Sequence, residues 1–464
     1  MKPELIEKLK CIVGKEWVTA EKETILDYLV DETVPIVSPK PASDVVLVKP
    51  NTTQEISSVL RLANESKISV FPRGGGTGLV GGCIPTKRGI VLSLNRMNRV
   101  IEVDIENMMV AIEAGVTLEK LIKVTDRAGF LFPPHPGDES AQVGGLVACN
   151  AGGARAIRYG VIRNFVKGIE VVLPTGEILD LGGKLLKDVA GYNLMHLMIG
   201  SQGTLGVITK VVLRLYPKFR HTATLIIPYE DHHDALKTVP RILQKEMIPL
   251  AIEYMERELM EKSAKQLGKE WLVKEGKVCL MIIVTGKNRE EIYQHAEKID
   301  EIAKEYHAID TLVVENARKQ NDILDIRSKI YFILKPFTMD ITDVAVPPAK
   351  IPELIDSLDE IVKKRKIYLP TFGHAGDGNL HTHIMMKKAG GVDEKDLEKV
   401  KKEIYDATIK LGGTITAEHG VGKIRVKTLN RYLNGKAMEI MKNIKRVFDP
   451  NNILNPETII SEKS

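Results

Sequence analysis

Three of the chain's 11 histidines fall in one short stretch, Gly373-His-Ala-Gly-Asp-Gly-Asn-Leu-His-Thr-His383. At average density such a window would hold well under one histidine, so the clustering asks for a chemical reason. Thr416-Ala-Glu-His-Gly-Val-Gly422 follows further along. Neutral imidazoles with a carboxylate form a donor set that suits divalent zinc, manganese or iron. His374 and His381 would approach from the two sides of a tight Gly376-Asp-Gly378 turn, with Glu418 as third ligand. Three protein ligands leave a position open for substrate, as catalytic metal sites do. His381 and His383 are two apart on an expected strand and so share a face. The plainer alternative is a satisfied polar turn around Asp377 with His383 facing solvent.

A second concentration is backbone rather than side chain. Arg73 to Gly82 contains six glycines in ten positions. Gly76-Thr-Gly78-Leu-Val-Gly81 matches the dinucleotide pattern, but that pattern must open a helix whose N-terminus faces a pyrophosphate. Gly82 and Pro85 stand where that helix would begin, and the next element reads as a strand, 90–94. A nicotinamide-type fold thereby loses its main support. What remains is a loop whose amides can converge on an anion without Cβ obstruction. Two further loops have the same character. Pro136-Gly137 to Gly144-Gly145 runs into Asn150-Ala-Gly152-Gly153, and Gly200-Ser-Gln-Gly203-Thr-Leu-Gly206 precedes a strand. Three such loops in one domain predict an extended cofactor lying across it.

The elements that position these groups fall into blocks. A length of 464 residues implies two or three domains. Residues 1–39 read as a charged, largely helical segment that ends near Pro39-Lys-Pro41. Residues 40–217 read as an α+β domain with strands at 45–48, 68–71, 90–94, 109–114, 169–173 and 207–215. Thr52-x-x-Glu55 forms a capping box opening a helix to about Asn64. Residues 218–420 run strand 223–227, helix 231–246, strands 249–255 and 278–285, helix 289–306 and strand 309–315. That β-α-β, β-α-β order is the split arrangement of a ferredoxin-like sheet. Helix 319–334, strand 341–346, helix 349–364 and strands 367–372 and 379–386 follow, and 421–464 is a helical tail.

Composition excludes several classes. Apolar residues make up 44% and charged residues 27%, as in ordinary globular proteins. A net charge of +5 with only 5% aromatics gives neither the basic surface nor the stacking platforms of a nucleic-acid binder. Runs such as Lys363-Lys364-Arg365-Lys366 read as solvated helix ends. No apolar run approaches the length of a membrane helix, and the N-terminus lacks the apolar region of a signal peptide. Cys11, Cys83, Cys149 and Cys279 are scattered, against an iron–sulfur cluster, a c-type haem or a disulfide framework. The expectation is a cytoplasmic protein with reduced thiols.

Pro72-Arg-Gly-Gly-Gly-Thr-Gly78, Asn150-Ala-Gly-Gly153 with Tyr159-Gly160, and Gly200-Ser-Gln-Gly-Thr-Leu-Gly206 resemble the FAD domain of the vanillyl-alcohol-oxidase/PCMH flavoproteins. Over about residues 40 to 458 the chain resembles their D-lactate dehydrogenase and glycolate-oxidase catalytic-subunit branch. The resemblance implies a PCMH-type FAD domain, a ferredoxin-like α/β cap, and a tail returning to the FAD domain, with the active site in the cleft between domains. It implies that Pro72, Arg73, Gly74, Gly75, Gly76, Thr77 and Gly78 hold the diphosphate. Pro136, Gly137, Ser140, Gly144, Gly145, Asn150, Gly152, Gly153 and Tyr159 would line the rest of FAD, with Gly203 in the third loop and Ile208 toward the adenine. Gln202 stands where many relatives have Glu, and Pro134-His135-Pro136 where they have an Asp. Thr77 occupies the place of the histidine found in covalently flavinylated relatives, so FAD is expected to be non-covalent.

The same resemblance implies His374, His381 and Glu418 as metal ligands, His419 as base, His383 near the substrate, and Arg327 as the grip on the substrate carboxylate. The implied activity is oxidation of a D-2-hydroxy acid, D-lactate foremost, to the 2-keto acid, with hydride passing to flavin N5. Electrons would then leave to an external acceptor such as an electron-transfer flavoprotein. Glycolate and D-2-hydroxyglutarate are the alternative substrates. A flavin-binding docking subunit without turnover, or a nicotinamide enzyme with a zinc site, are the alternative classes.

Overall fold

The capping box at Thr52 is formed in the computed structural model, which describes residues 1–245 and 247–461. Thr52 Oγ1 accepts the Glu55 amide at 3.1 Å, and Glu55 reaches back to the Asn51 amide at 2.7 Å, so helix Thr53–Glu65 starts where its orphan amides are satisfied. Glu246, the last residue of the helix expected over 231–246, lies outside the described residues, as do the final three residues of the expected tail. The chain divides into two units. The first is Met1–Ala151, Val161–Pro217 and Glu418–Ser464, described to residue 461; the second is Gly152–Gly160 with Lys218–Ala417.

In the first unit, strands Ser69–Arg73, Gly89–Ser93 and Val45–Val48 run parallel, and the short strand Val18–Thr19 adds antiparallel at the edge. Residues 1–39 are built into this unit. Helix Pro3–Val13 buries Leu5, Leu9 and Val13 in the same core as Ile56, Leu60, Val70, Ile90 and Leu454. A second, antiparallel sheet orders Val100–Asp104, Met109–Glu113, Val207–Arg214, Val166–Val172 and Ile178–Gly182. No helix interrupts the stretch from Arg73 to Gly89, in keeping with a strand–loop–strand unit. Near its end the chain returns to the parallel sheet: Val70 N donates to Ile453 O and Asn455 N to Val70 O, both at 2.7 Å.

The second unit is a seven-stranded sheet. Its first four positions are Leu312–Val314, His221–Tyr229, Val278–Gly286 and Ala251–Glu256, all antiparallel, with helices His232–Leu243 and Arg289–Glu305 as crossovers. This is the ferredoxin-like order. Thr371–His374, Asn379–Met385 and Thr338–Ala345 extend it. The strand expected over 367–372 begins later, at Thr371, because Pro370 breaks the run and offers only its carbonyl, which accepts the His383 amide at 3.0 Å. Helix Ala317–Leu334 lays Ile323, Ile326 and Ile330 at helical spacing onto the sheet, against Met255, Met281 and Phe372. That packing carries Arg327 to the same face.

Candidate active site

Two strands of the second unit place the histidines. Gly378 has φ +92°, and a Cβ there would run into the Val346 carbonyl, so only glycine closes this turn. The turn is held by Gly378 N donating to His374 O at 3.1 Å. His374 thus ends one strand, and His381 and His383 project from the next. The His374 and His381 rings are 5.4 Å apart, edge to face. Phe372 lies opposite His381 in register and forms the floor. Its ring is 5.8 Å from His381, 5.4 Å from His383, and 5.1 Å from Arg327 Cζ. One phenyl ring therefore sits against three of the site residues expected from sequence.

Buried carboxylates stand behind this group, and sequence reading assigned them no role. Glu253, 1% exposed, accepts from His374 Nδ1 at 2.6 Å through Oε1 and from Arg327 Nε at 2.8 Å through Oε2. Burial pushes its carboxyl up, but the charges of His374 and Arg327, and their hydrogen bonds, outweigh that and hold it below the usual glutamate value. Arg327 Nη2 is 2.7 Å from the same Oε2 as an ion pair, yet is buried without an aligned acceptor. Such an orphaned donor suits a carboxylate ligand.

Asp343, fully buried, accepts from Asn379 Nδ2 at 2.9 Å, Thr416 Oγ1 at 2.8 Å and Ala417 N at 3.0 Å, and its Oδ1 lies 3.5 Å from His381 Nδ1. It fixes the segment up to Ala417, after which the chain continues directly into Glu418 and His419 of the first unit. His383 is buried at 1% exposure, its Nδ1 2.9 Å from Thr338 Oγ1. Thr338 donates onward to Leu334 O, so the imidazole is the donor to Thr338.

In the first unit the glycine loop follows strand Ser69–Arg73, which ends with Pro72 and Arg73. A Cβ on Gly75 would stand 2.9 Å from Ser140 O, and Gly76 has φ +77° with the Arg73 guanidinium beneath it. An open cleft of about 440 Å³ is lined by Arg73, Gly74, Gly75, Asn95, Ser140 and Gln142. Bare backbone beside such a cleft fits a phosphate-bearing cofactor. The Arg73 side chain itself donates to Val30 O at 2.6 Å and Asp27 O at 2.8 Å, so its charge braces the N-terminal segment under the loop. Thr77 and Gly78 continue the loop, and Gly78 O accepts the Glu32 amide at 2.9 Å.

Pro136 is half-buried and Gly137 exposed. Gly144 is closed by packing, a Cβ there falling 2.6 Å from Ala114 Cβ, whereas Gly145 faces open space. Asn150 takes the left-handed conformation that ends helix Val143–Cys149 and accepts the Arg163 amide at 3.2 Å. Gly203 turns at φ +67° beside Pro72, and Ile208 is buried opposite Val171. Gln202 Oε1 accepts the Gly422 amide at 2.7 Å. Gly152, Gly153 and Tyr159 belong to the second unit, where the Tyr159 ring packs with Phe219 and Leu250.

Comparison with known proteins gives the class. The family model for the FAD binding domain matches residues 45–182, and that for FAD linked oxidases, C-terminal domain, matches residues 218–459. The chain belongs to the FAD-linked oxidases, and it is an FAD-linked oxidoreductase. It is 42% identical to a D-lactate dehydrogenase of Archaeoglobus fulgidus, covering 93% of this chain and 95% of that one. A D-lactate dehydrogenase of Anaerostipes hadrus is 38% identical, with 98% and 97% covered. Glycolate oxidase subunit GlcD of Bacillus subtilis is 36% identical, with 88% and 87% covered. Among solved structures, 4-ethylphenol oxidase from Gulosibacter chungangensis matches with a TM-score of 0.78 at 19% identity, covering 99% of this chain and 97% of that one. p-Cresol methylhydroxylase matches with the same TM-score and coverage at 17% identity, which bears on fold alone.

Proposed function

We propose that the chain oxidises a D-2-hydroxy acid, D-lactate foremost, to the corresponding 2-keto acid. The observation that carries this reading is the grouping of His381, His383 and Arg327 around Phe372, with His374 beside His381 and joined to Arg327 by Glu253. Bound non-covalently, FAD supplies the acceptor for the substrate's Cα hydride. Its diphosphate would lie on the loop from Pro72 to Gly78, and the Gly137, Gly145 and Gly203 backbones would approach the remainder. His374, His381 and Glu418 would hold a zinc, manganese or iron(II) ion, which would supply Lewis acidity toward the substrate's α-hydroxyl. The donor set fits: Glu253 occupies His374 Nδ1 and leaves Nε2 as the ligand atom.

The chain's own residues do the remainder. Arg327 fixes the substrate carboxylate through its planar guanidinium, already pinned by Glu253 and stacked over Phe372. His419 removes the hydroxyl proton as general base. His383, braced by Thr338, supports the floor beneath the reacting carbon. Electrons leave to a soluble acceptor, for which an electron-transfer flavoprotein is the leading class. A cytoplasmic setting is supported by the free cysteines and by the absence, among the described residues, of any helix long and apolar enough to cross a membrane.

The test is His381→Ala. D-lactate-dependent turnover should be abolished while the purified protein keeps its flavin. Full activity in that variant would remove the ion from the mechanism.

A further inference from the structure

We propose that Glu253 is a positioning residue that ties the orientation of a metal-ligating imidazole to that of the substrate-binding guanidinium. The inference rests on the reading of His374 and Arg327 given above and adds a group to it. In the strand Ala251–Glu256, Glu253 is the charged residue among Ala251, Ile252, Tyr254 and Met255, and all five are buried. Its side chain shares a sheet face with Met255, the face on which Phe372 and the isoleucines of helix Ala317–Leu334 pack. A carboxylate in such a place is tolerated only when its oxygens are matched. Each is matched to a different functional group: Oε1 to His374 Nδ1 and Oε2 to the Arg327 guanidinium.

Two consequences follow from hydrogen-bond chemistry. A carboxylate can only accept, so Nδ1 of His374 carries the proton and Nε2 presents its lone pair. Arg327 is held through its Nε hydrogen bond to Oε2, with Nη2 in ion-pair contact but unaligned, which sets the plane of its fork over Phe372. An amide in place of this carboxylate cannot serve both partners. With its oxygen toward Arg327, its NH₂ faces Nδ1 and favours the tautomer protonated on Nε2. Flipped, the NH₂ meets the Arg327 donors. Glu253→Gln is therefore the isosteric change that breaks the coupling, and Glu253→Asp the shorter one that keeps an acceptor-only group.

The experiment uses the full FAD-loaded chain, stripped of metal by chelator and titrated with Zn²⁺ by calorimetry. Glu253→Gln should bind Zn²⁺ about 10–100-fold more weakly than the parent, with flavin content unchanged. Glu253→Asp should fall between the two. Parental affinity in Glu253→Gln overturns the proposal, and so does the reverse order, weaker binding by Asp than by Gln, which marks a packing role. His374→Ala separates this from the parent reading. Parental Zn²⁺ binding in His374→Ala would defeat the metal site itself, whereas loss there with full binding in Glu253→Gln defeats only the role of Glu253. Should neither Glu253 variant fold, ¹⁵N spectra of histidine-labelled parent protein decide. His374 with an unprotonated Nε2 supports the proposal, and a proton on Nε2 overturns it.

Discussion

The two units solve opposite problems. The first makes room: at Gly75 and Gly76 the loop works because side chains are missing, and a Cβ at either would collide with Ser140 O or the Arg73 guanidinium. The second fills space: around Phe372 every position is a specific side chain, two of them backed by buried carboxylates. A backbone-built site binds through what all residues share, so its failure is loss of the ligand altogether. A side-chain-built site works through donor identity and protonation, so its failure is loss of rate with the ligand still present.

Substitutions should separate the two kinds of failure. The largest effect should come from Gly75→Val, whose branched Cβ must enter space held by Ser140 and Ala141; the purified protein should be colourless and inactive. Retained flavin in that variant would show that the loop is not the cradle. His381→Ala is its opposite, yellow but without turnover, and loss of flavin there would erase the distinction between the units. The smallest effect should come from outside both sites, at Glu403. The Arg365 hydrogen bond, against the opposing pull of burial and with help from Lys364, holds its carboxyl at about 2. Because that value lies below the ordinary 4.5, the pair stabilises the fold above pH 4.5 and ceases to as pH falls through about 2. Glu403→Gln should thus lower stability by about 1 kcal/mol or less at pH 7, with no difference from the parent in acid unfolding below about pH 2 and no change in turnover.

The contrast also explains what the sequence disclosed. Glycine-dense loops and a histidine cluster are local patterns, visible in residue type and spacing, and so were the absent helix after Arg73 and the ferredoxin-like strand order. Glu253 was hidden because it is 121 residues from the His374 it orients. Its one local sign is an acid inside the otherwise apolar run Ala251-Ile-Glu-Tyr-Met255. Asp343 reaches His381 only through the pairing of Thr338–Ala345 with Asn379–Met385, a register that no short window encodes. Arg73 carries a phosphate-binding signature in sequence, yet its guanidinium is engaged by the carbonyls of Asp27 and Val30. Strand Val100–Asp104 buries none of its five residues, and helix Arg257–Gln266 buries only Leu259, Met260, Ser263 and Ala264 among its charged residues, so neither stands out in the sequence.

This flavoprotein is proposed to take hydride from a D-2-hydroxy acid gripped by Arg327 and the histidines. Anaerobic titration of the purified, metal-loaded protein with D-lactate, L-lactate, glycolate and D-2-hydroxyglutarate, followed by the visible flavin spectrum, tests it most directly. Stoichiometric bleaching by D-lactate is expected at concentrations where L-lactate leaves the spectrum unchanged. A spectrum that none of the four acids bleaches would contradict the proposal.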